Sequence, residues 1–302
     1  MSTATLLCIA LVLDALLGEP KWLWSRVPHP AVLMGKAVGY LDQRLNQGGS
    51  RKAKGVLTAV ALVIGGWILG HVIAFFGWLP TVLVAAMLLA QRSLADHVKD
   101  VADALRVSLG DGRRSVAKIV GRDTADMDEA SVSRSAIESA AENLSDGVIA
   151  PAFWFLIAGL PGLLVYKAIN TADSMIGYRT DTYRDFGWAA ARFDDLLNWV
   201  PARITGVLIA VTHAGLGAFS DIREDASLHR SPNAGWPESA MARALNVALS
   251  GPRIYDGQRQ DYPFVHDFGR KNIDANDIDA AVSALWRSWG AMLAIIFLLA
   301  LL

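Results

Sequence analysis

The stretch VLTAVALVIGGWILGHVIAFF, residues 56–76, decides the fold class, because it contains no acidic residue, lysine or arginine and only one histidine. About 20 consecutive apolar residues are enough to cross the hydrocarbon core of a bilayer as a helix. A second apolar run, residues 79–90, follows directly after Gly77 and Trp78. The pair therefore predicts a tight transmembrane hairpin.

Apolar runs recur along the chain, and few segments show the alternation that is typical of strands. We therefore predict an all-α, polytopic integral membrane protein with about four to six membrane-inserted helices and long polar helical loops. The other candidate spans are residues 3–17, 148–165, 199–219 and 285–302. The run 148–165 is interrupted by GLPG at 159–162, so it either crosses the membrane or turns back inside it.

Long polar segments separate the apolar runs, at residues 18–54, 91–147, 166–198 and 220–284. Because the sequence contains no internal repeat and no interdomain linker, we predict one membrane-embedded domain over residues 1–302. Segment 18–54 holds seven lysines and arginines against two acids, which predicts a cytoplasmic location.

Composition excludes some classes of protein. The 302 residues are 53% hydrophobic, and their formal net charge is −1. A nucleic-acid-binding protein would carry a basic stripe, which this sequence lacks. Cys8 is the only cysteine, so the chain cannot form an internal disulfide or a cysteine-rich zinc site.

Charge is most concentrated in YKAINTADSMIGYRTDTYRDFGWAAARFDDLLNWVPAR, residues 166–203, which lies between two apolar runs. Charge beside a bilayer is costly and is usually retained for function. Lys167, Asn170 and Ser174 share one helical face, and Asp173 adjoins it. Arginines in this stretch could bind phosphate or carboxylate groups through paired hydrogen bonds. The alternative is that acids and bases neutralise one another in an interfacial helix pair.

A second acidic pattern precedes the run 148–165. Glu138, Glu142 and Asp146 are spaced at i, i+4 and i+8, which places them on one face of a continuous helix. Such a face can hold Mg²⁺ through one or two carboxylates while the metal ion binds substrate phosphates. A solvated helix face is the alternative. His29 lies between Pro28 and Pro30, in a turn that either aims the ring at a site or is only structural.

Taken together, these motifs resemble the CobD/CbiB family of cobalamin-biosynthesis membrane proteins. The resemblance covers nearly the whole chain. It rests on Asp14-x-x-x-Gly18-Glu19-Pro20, His29-Pro30, Gly35-Lys36, Glu138-Ser-Ala-Ala-Glu142-Asn143-Leu-Ser-Asp146-Gly147, Tyr166-Lys167-x-x-Asn170-x-x-Asp173-Ser174-Met-x-Gly177-Tyr178, Phe186-Gly187, Asp194-Asp195, Pro201-x-Arg203, Ser231-Pro-Asn-Ala-Gly-Trp236-Pro-Glu238 and Met241-Ala242.

The resemblance implies an adenosylcobinamide-phosphate synthase, a ligase that forms a carbon–nitrogen bond in the bacterial inner membrane. Such an enzyme uses ATP and Mg²⁺ to join adenosylcobyric acid, a corrinoid, to aminopropanol or aminopropanol phosphate. The implied partners are these substrates and the lipid bilayer, with no nucleic acid. Assembly as a homo-oligomer, or with other cobalamin-assembly enzymes, stays open.

Residue type and the resemblance together suggest roles for the candidate residues. The catalytic candidates are Glu142, Asp173, Asp181 and Asp194, with Asp181 or Asp194 as the base. The candidates for binding phosphate and substrate are Lys167, Asn170, Ser174, Arg179, Arg184, Arg192, His29 and Trp236. Magnesium would be held by Glu138, Glu142, Asp146 and Asp173.

Two other functions fit the sequence less closely. A related branch of the superfamily resembles membrane sensors linked to β-lactamase induction, but a sensor would not need such a density of paired charges. A transporter with broken helices is suggested by Gly159 and Pro161, but transporters of this kind usually show repeat symmetry. The enzyme is therefore the favoured reading.

Overall fold

The computed structural model describes residues 1–255, 258–260 and 262–302, and these residues are mainly helical. The helices are α1 Thr3–Leu17, α2 Lys21–Trp24, α3 Pro30–Leu45, α4 Arg51–Phe75, α5 Trp78–Leu88, α6 Gln91–Val107, α7 Leu109–Val116, α8 Glu129–Asn143, α9 Ala150–Ile176, α10 Trp188–Leu197, α11 Trp199–Ile209, α12 Phe219–Ser227, α13 Gly235–Leu245 and α14 Ala275–Leu301. The short strands are β1 Leu249–Ser250, β2 Arg253–Tyr255, β3 Gln258–Gln260 and β4 Phe264–Val265, which pair as β1 with β4 and β2 with β3, both antiparallel.

Within the described residues, four helical segments are long and apolar enough to cross a membrane: Arg51–Phe75, Trp78–Val107, Glu129–Ile176 and Ala275–Leu301. The prediction of an all-α membrane protein is therefore confirmed. The run 199–219 was wrongly expected to be one span. Helix α11 ends at Ile209, and Gly215 adopts a φ of 74° after a π-helical turn, which breaks the helix before α12.

The chain forms two compact units. Unit 1 comprises Met1–Ala90, Asp146–Trp199 and Ile295–Leu302, and unit 2 comprises Gln91–Ser145 and Val200–Ala294. The single domain predicted from the sequence stays a prediction. The two units are described separately below.

Unit 1 is built on the close approach of α4 to α9, which glycines permit. A Cβ atom at Gly70 would lie 2.4 Å from Pro161 Cα, and one at Gly66 would lie 3.1 Å from the Val165 nitrogen. Nearer its start, α4 has Gly55, where a Cβ atom would lie 1.9 Å from the Phe186 carbonyl oxygen. The chain from Pro161 to Phe186 therefore runs antiparallel to α4, backbone against backbone.

Helix α9 is two limbs joined by a sharp break. Ala158 has φ −133° and ψ 19°, and Gly159 has φ 63° and ψ −157°, a conformation open mainly to glycine. The first limb begins beside the end of α5, since a Cβ atom at Gly147 would lie 3.6 Å from Ala90 Cβ. It ends beside the start of α5, where Ala158 and Trp78 line a common cavity of about 370 Å³. The segment 148–165 therefore turns back, which was one of the two alternatives left open by the sequence.

The outer surface of α4 is apolar. Ile64, Trp67 and Ile68 are large side chains that are about half exposed. A soluble protein rarely leaves so many large apolar side chains together in water, so this face is expected to contact lipid.

Unit 2 has a buried polar contact near its centre. The Glu138 side chain on α8 lies between the Arg122 guanidinium and the backbone of Ser250 in β1. Arg134, also on α8, donates to the carbonyl oxygens of Ala248 and Lys271. These bonds fasten α8 to the strand-containing part of unit 2.

Candidate active site

The site of interest in unit 1 begins at a π-helical turn, Leu144–Ile149, which joins α8 to α9 and carries Asp146. Such turns often occur at functional sites. Tyr166, fully buried on the returning limb of α9, places its hydroxyl 3.0 Å from the Asp146 carbonyl oxygen. The turn is thus tied directly to the returning limb.

Asp194 on α10 is the central carboxylate of this site. It is 8% exposed, and each of its oxygens accepts a hydrogen bond from a side-chain amide. Asn170 donates to Oδ1 at 3.2 Å, and Asn198 donates to Oδ2 at 3.0 Å. Asn198 is itself 1% exposed, and its Oδ1 accepts from the Tyr166 hydroxyl at 3.0 Å. The single hydroxyl proton of Tyr166 faces both the Asp146 carbonyl oxygen and Asn198 Oδ1, and the Asn198 amide in turn donates to Asp194.

The surroundings of Asp194 determine its protonation. Burial raises the pKa of Asp194 to about 7, and the nearby charge of Asp173 acts in the same direction. The hydrogen bonds from Asn170 and Asn198 oppose this rise, because they stabilise the ionised form. A carboxylate of this kind can accept and release a proton near neutral pH, as a general base must.

Lys167 brings a positive charge to the same place. It lies within electrostatic range of Asp146 and Asp194, yet it forms no direct ion pair within the part of the chain that the structure describes. An ammonium group of this kind can bind an anionic ligand, such as a phosphate oxygen.

His29 lies near Lys167 and also has a structural role. Its Nδ1 accepts the Ala31 backbone N–H at 3.2 Å, so His29 caps the start of α3. The Trp24 ring packs edge-on against it, with ring centroids 4.5 Å apart. Burial lowers the pKa of His29, Glu19 partly opposes this, and the charge of Lys167 lowers the pKa further. The imidazole is thus mainly neutral at pH 7, with its proton on Nε2.

Several other charged side chains of residues 166–203 pair with one another. Arg192 pairs with Asp195 at 3.4 Å, and the positive charge of Arg179 also acts on Asp195. Arg184 pairs with Asp181 at 3.4 Å, and the Asp181 side chain is 99% exposed. Of the two candidate bases, the geometry favours Asp194, because Asp181 faces solvent.

Ser174 and Asn170 have different surroundings, although the sequence placed them on one helical face. The exposed hydroxyl of Ser174 donates to the Asn170 carbonyl oxygen at 2.9 Å, within its own helix. The Asn170 amide reaches Asp194. Asn170 therefore belongs to the site, and Ser174 lies at its edge.

Three of the candidate residues belong to unit 2. Glu138 is 3% exposed and accepts from Arg122 at 2.5 Å and from the Ser250 N–H at 2.6 Å. Glu142, one turn later on α8, is exposed. Trp236 packs against Arg203, whose guanidinium lies 5.0 Å from the ring centroid.

The magnesium ligands predicted from the sequence stay a prediction. In the described ranges, no group of three or more histidine, cysteine or acidic residues is arranged to hold a metal ion. A single acidic face also does not form, because Glu138 is buried in an ion pair whereas Glu142 is exposed. The π-helical turn at Leu144–Ile149 further interrupts the regular helical spacing before Asp146.

Sequence reasoning missed two members of the site, Tyr166 and Asn198. Tyr166 was part of a quoted motif but received no role. Asn198 follows Asp194 by four residues, which is the spacing at which side chains on one helix meet. The same rule that paired other residues could therefore have found Asn198.

Fold and site together define an all-α membrane protein with a buried, charged site at a broken helix. The sequence profile described as CobD/Cbib protein matches residues 7–285. The chain belongs to this family. No solved structure matches it.

Curated relatives match over nearly their whole length. The cobalamin biosynthesis protein CobD of Rhizobium meliloti is 50% identical, over 95% of this chain and 94% of the relative. The protein of the same name from Brucella anthropi is 47% identical, over 96% and 95%. That of Rhodobacter capsulatus is 42% identical, over 100% and 99%.

Proposed function

We propose that the protein is an ATP-dependent amide ligase of cobalamin biosynthesis. It would join the free carboxylate of adenosylcobyric acid to the amine of aminopropanol or aminopropanol phosphate. The observation that carries the proposal is Asp194, a buried carboxylate held by two amides close to Lys167. The names of the relatives support the pathway.

The chemistry requires activation of a poor acyl donor. A carboxylate oxygen of the corrinoid attacks the γ-phosphorus of ATP, ADP leaves, and an acyl phosphate forms. The amine nitrogen then attacks the acyl carbon, and inorganic phosphate leaves. Asp194, with its raised pKa, accepts the proton that the amine must lose. Lys167 stabilises negative charge on the transferring phosphoryl group.

We assign no magnesium ligand to the protein. Glu138 does not fit a preformed metal cage, since it is already bound to Arg122 and Ser250. Mg²⁺ commonly arrives bound to the nucleotide phosphates. The residues outside the central site, Arg179, Arg184 and Arg192, are the proposed contacts for substrate phosphates as these approach.

The position of the site within unit 1 agrees with a supply of ATP. Lys52 lies 4.1 Å from the centroid of the Trp188 ring, and Asn46 donates to the Thr182 carbonyl oxygen at 3.2 Å. The stretch 178–188 is therefore at the basic end of α4. Basic segments flank the cytoplasmic side of membrane helices, so we propose that the site faces the cytoplasm.

Sidedness can be tested with one engineered cysteine. In a Cys8→Ala background, Thr182→Cys would be labelled by an impermeant maleimide in inside-out vesicles and protected in right-side-out vesicles. Labelling only from the periplasmic side would remove the site from ATP and overturn the proposal.

The activity test is direct. The purified protein, in lipid nanodiscs, is incubated with adenosylcobyric acid, Mg-ATP and aminopropanol phosphate, and mass spectrometry detects the amide. Asp194→Asn and Asp173→Asn should abolish ligation while the protein stays folded. Thr171→Val is the matched control, because its hydroxyl donates within its own helix, to the Lys167 carbonyl oxygen. Absence of amide from the wild type, or normal turnover by Asp194→Asn, would contradict the proposal.

A further inference from the structure

Asn198 stands out among the residues to which the family motifs assign no role. It lies at the end of α10 and is 1% exposed. Its amide N–H donates to Asp194 Oδ2 at 3.0 Å, and its carbonyl oxygen faces the Tyr166 hydroxyl at 3.0 Å. Both ends of a buried amide are thus occupied by groups of the proposed site.

The network fixes which way the amide points. An ionised Asp194 can only accept hydrogen bonds, so the Asn198 nitrogen must face it. The Tyr166 hydroxyl can then donate to the Asn198 oxygen. Tyr166 is in turn held beside the Asp146 carbonyl oxygen. With Asp194 ionised, a reversed amide would set its oxygen against Asp194 Oδ2, which would lose the donor that Asn198 supplies.

From this geometry we infer that Asn198 is a positioning residue that orients Asp194 and holds it in the ionised, proton-accepting form. Tyr166 supports it by fixing the amide. Asn170 supplies the other donor, so each carboxylate oxygen has its own N–H partner. The role of Asp194 as a base rests on the proposed function, whereas the hydrogen-bond geometry stands independently of that function.

Other charges around Asp194 act on it as well. The titratable and charged groups facing it are Asp146, Tyr166 and Lys167, with Asp173 on α9 and Asp195 beside it on α10. The acids disfavour the ionised form, and Lys167 favours it. Asn198 adds a neutral donor in contact with the carboxylate, where a hydrogen bond acts most strongly on charge.

The test compares Asn198→Leu and the shorter Asn198→Ala, neither of which adds a charge, with wild type and with Thr171→Val. Infrared difference spectroscopy of the nanodisc-bound protein follows the carboxylic acid band of Asp194 against pH, and Asp194→Asn identifies that band. Loss of the hydrogen bond should raise the pKa of Asp194 by about one pH unit. Tyr166→Phe should shift it less, in the same direction. Thr171→Val should leave it unchanged.

The pH profile of ligation provides the second readout. Its acid limb should move to higher pH in Asn198→Leu and Asn198→Ala, by about the amount seen in the infrared titration, since the base must be ionised to act. A folded Asn198→Ala with an unchanged band and an unchanged limb would overturn the inference. If the wild type forms no amide, the proposed function fails, but the infrared titration still decides the role of Asn198. If Asn198→Leu does not fold, Asn198→Ala and Tyr166→Phe decide it.

Discussion

The most decisive prediction for the fold concerns Glu138, because the sequence suggested a metal ligand and the structure shows a buried ion pair. We expect Glu138→Leu to destabilise unit 2 strongly. The substitution leaves the Arg122 guanidinium, whose side chain is 9% exposed, without its counter-charge. It also removes the acceptor for the Ser250 N–H, which lies 2.6 Å from the carboxylate.

The size of the effect follows from these contacts. Removing one partner of a buried ion pair costs about 3–5 kcal/mol, because the remaining charge stays desolvated. A change of this size lowers the melting temperature by about 10 °C in a unit of this length. Replacing both partners costs much less, since no charge is then left buried. The double variant Glu138→Leu with Arg122→Met should therefore recover most of the lost stability.

Thermal unfolding in a mild detergent, followed by tryptophan fluorescence, measures the differences in melting temperature among these variants. The matched control is Asp103→Leu, which removes two exposed pairs, with Lys99 at 3.4 Å and with Arg106 at 3.3 Å. That change should cost less than about 0.5 kcal/mol. A Glu138→Leu protein as stable as wild type would refute the reasoning, and so would a double variant no more stable than the single one. Excess Mg²⁺ should not restore the single variant.

Two further predictions concern unit 1. Gly55→Val should lower the melting temperature by the equivalent of about 1–3 kcal/mol or more, because the new Cβ atom would collide with the Phe186 carbonyl oxygen at 1.9 Å. Gly65→Val is the control on the same helix, since no atom of the residues that the structure describes lies within 4 Å of its Cβ position. Equal losses of stability in both variants would contradict the close approach. Asp194→Asn should change the pH dependence of stability. The folded-state pKa of Asp194, raised to about 7, lies above the value in the unfolded chain, so wild type loses stability as pH rises from about 4 to about 7. The variant has no carboxyl group at this position and so lacks this loss. The melting temperature of the variant minus that of wild type should therefore be larger at pH 8 than at pH 5. The same difference at both pH values would count against the buried carboxylate.

The sequence predicted the elements of the fold well where local pattern determines them. The run 56–76 became part of α4, and the break at Gly159 could be placed from glycine and proline alone. The direction that the chain takes after the break could not be predicted from the sequence. It depends on Gly66 and Gly70 of α4, which admit the returning limb. That contact joins segments far apart in the chain.

The candidate site was predicted only in part, because it too depends on contacts between segments far apart in the chain. The spacing of acids identified Glu138 but not its partners, which lie 16 and 112 residues away along the chain. A helical spacing rule reports which carboxylates share a face and says nothing about the charge packed against that face. Asp194 and Asn170 come together across two helices, so only the fold distinguishes Asp194 from the solvent-exposed Asp181.

The reversal at Gly159 has a consequence for the biosynthesis of the chain. When residues 148–165 leave the ribosome, they form an apolar segment that the insertion machinery can accept as a complete span. The returning limb is synthesised afterwards and seats against α4, backbone to backbone. A reporter fused shortly after residue 165 lacks most of that limb, so it reports the side reached by a truncated segment. Fusions placed beyond residue 188, after the limb and α10's start have been made, report the mature orientation.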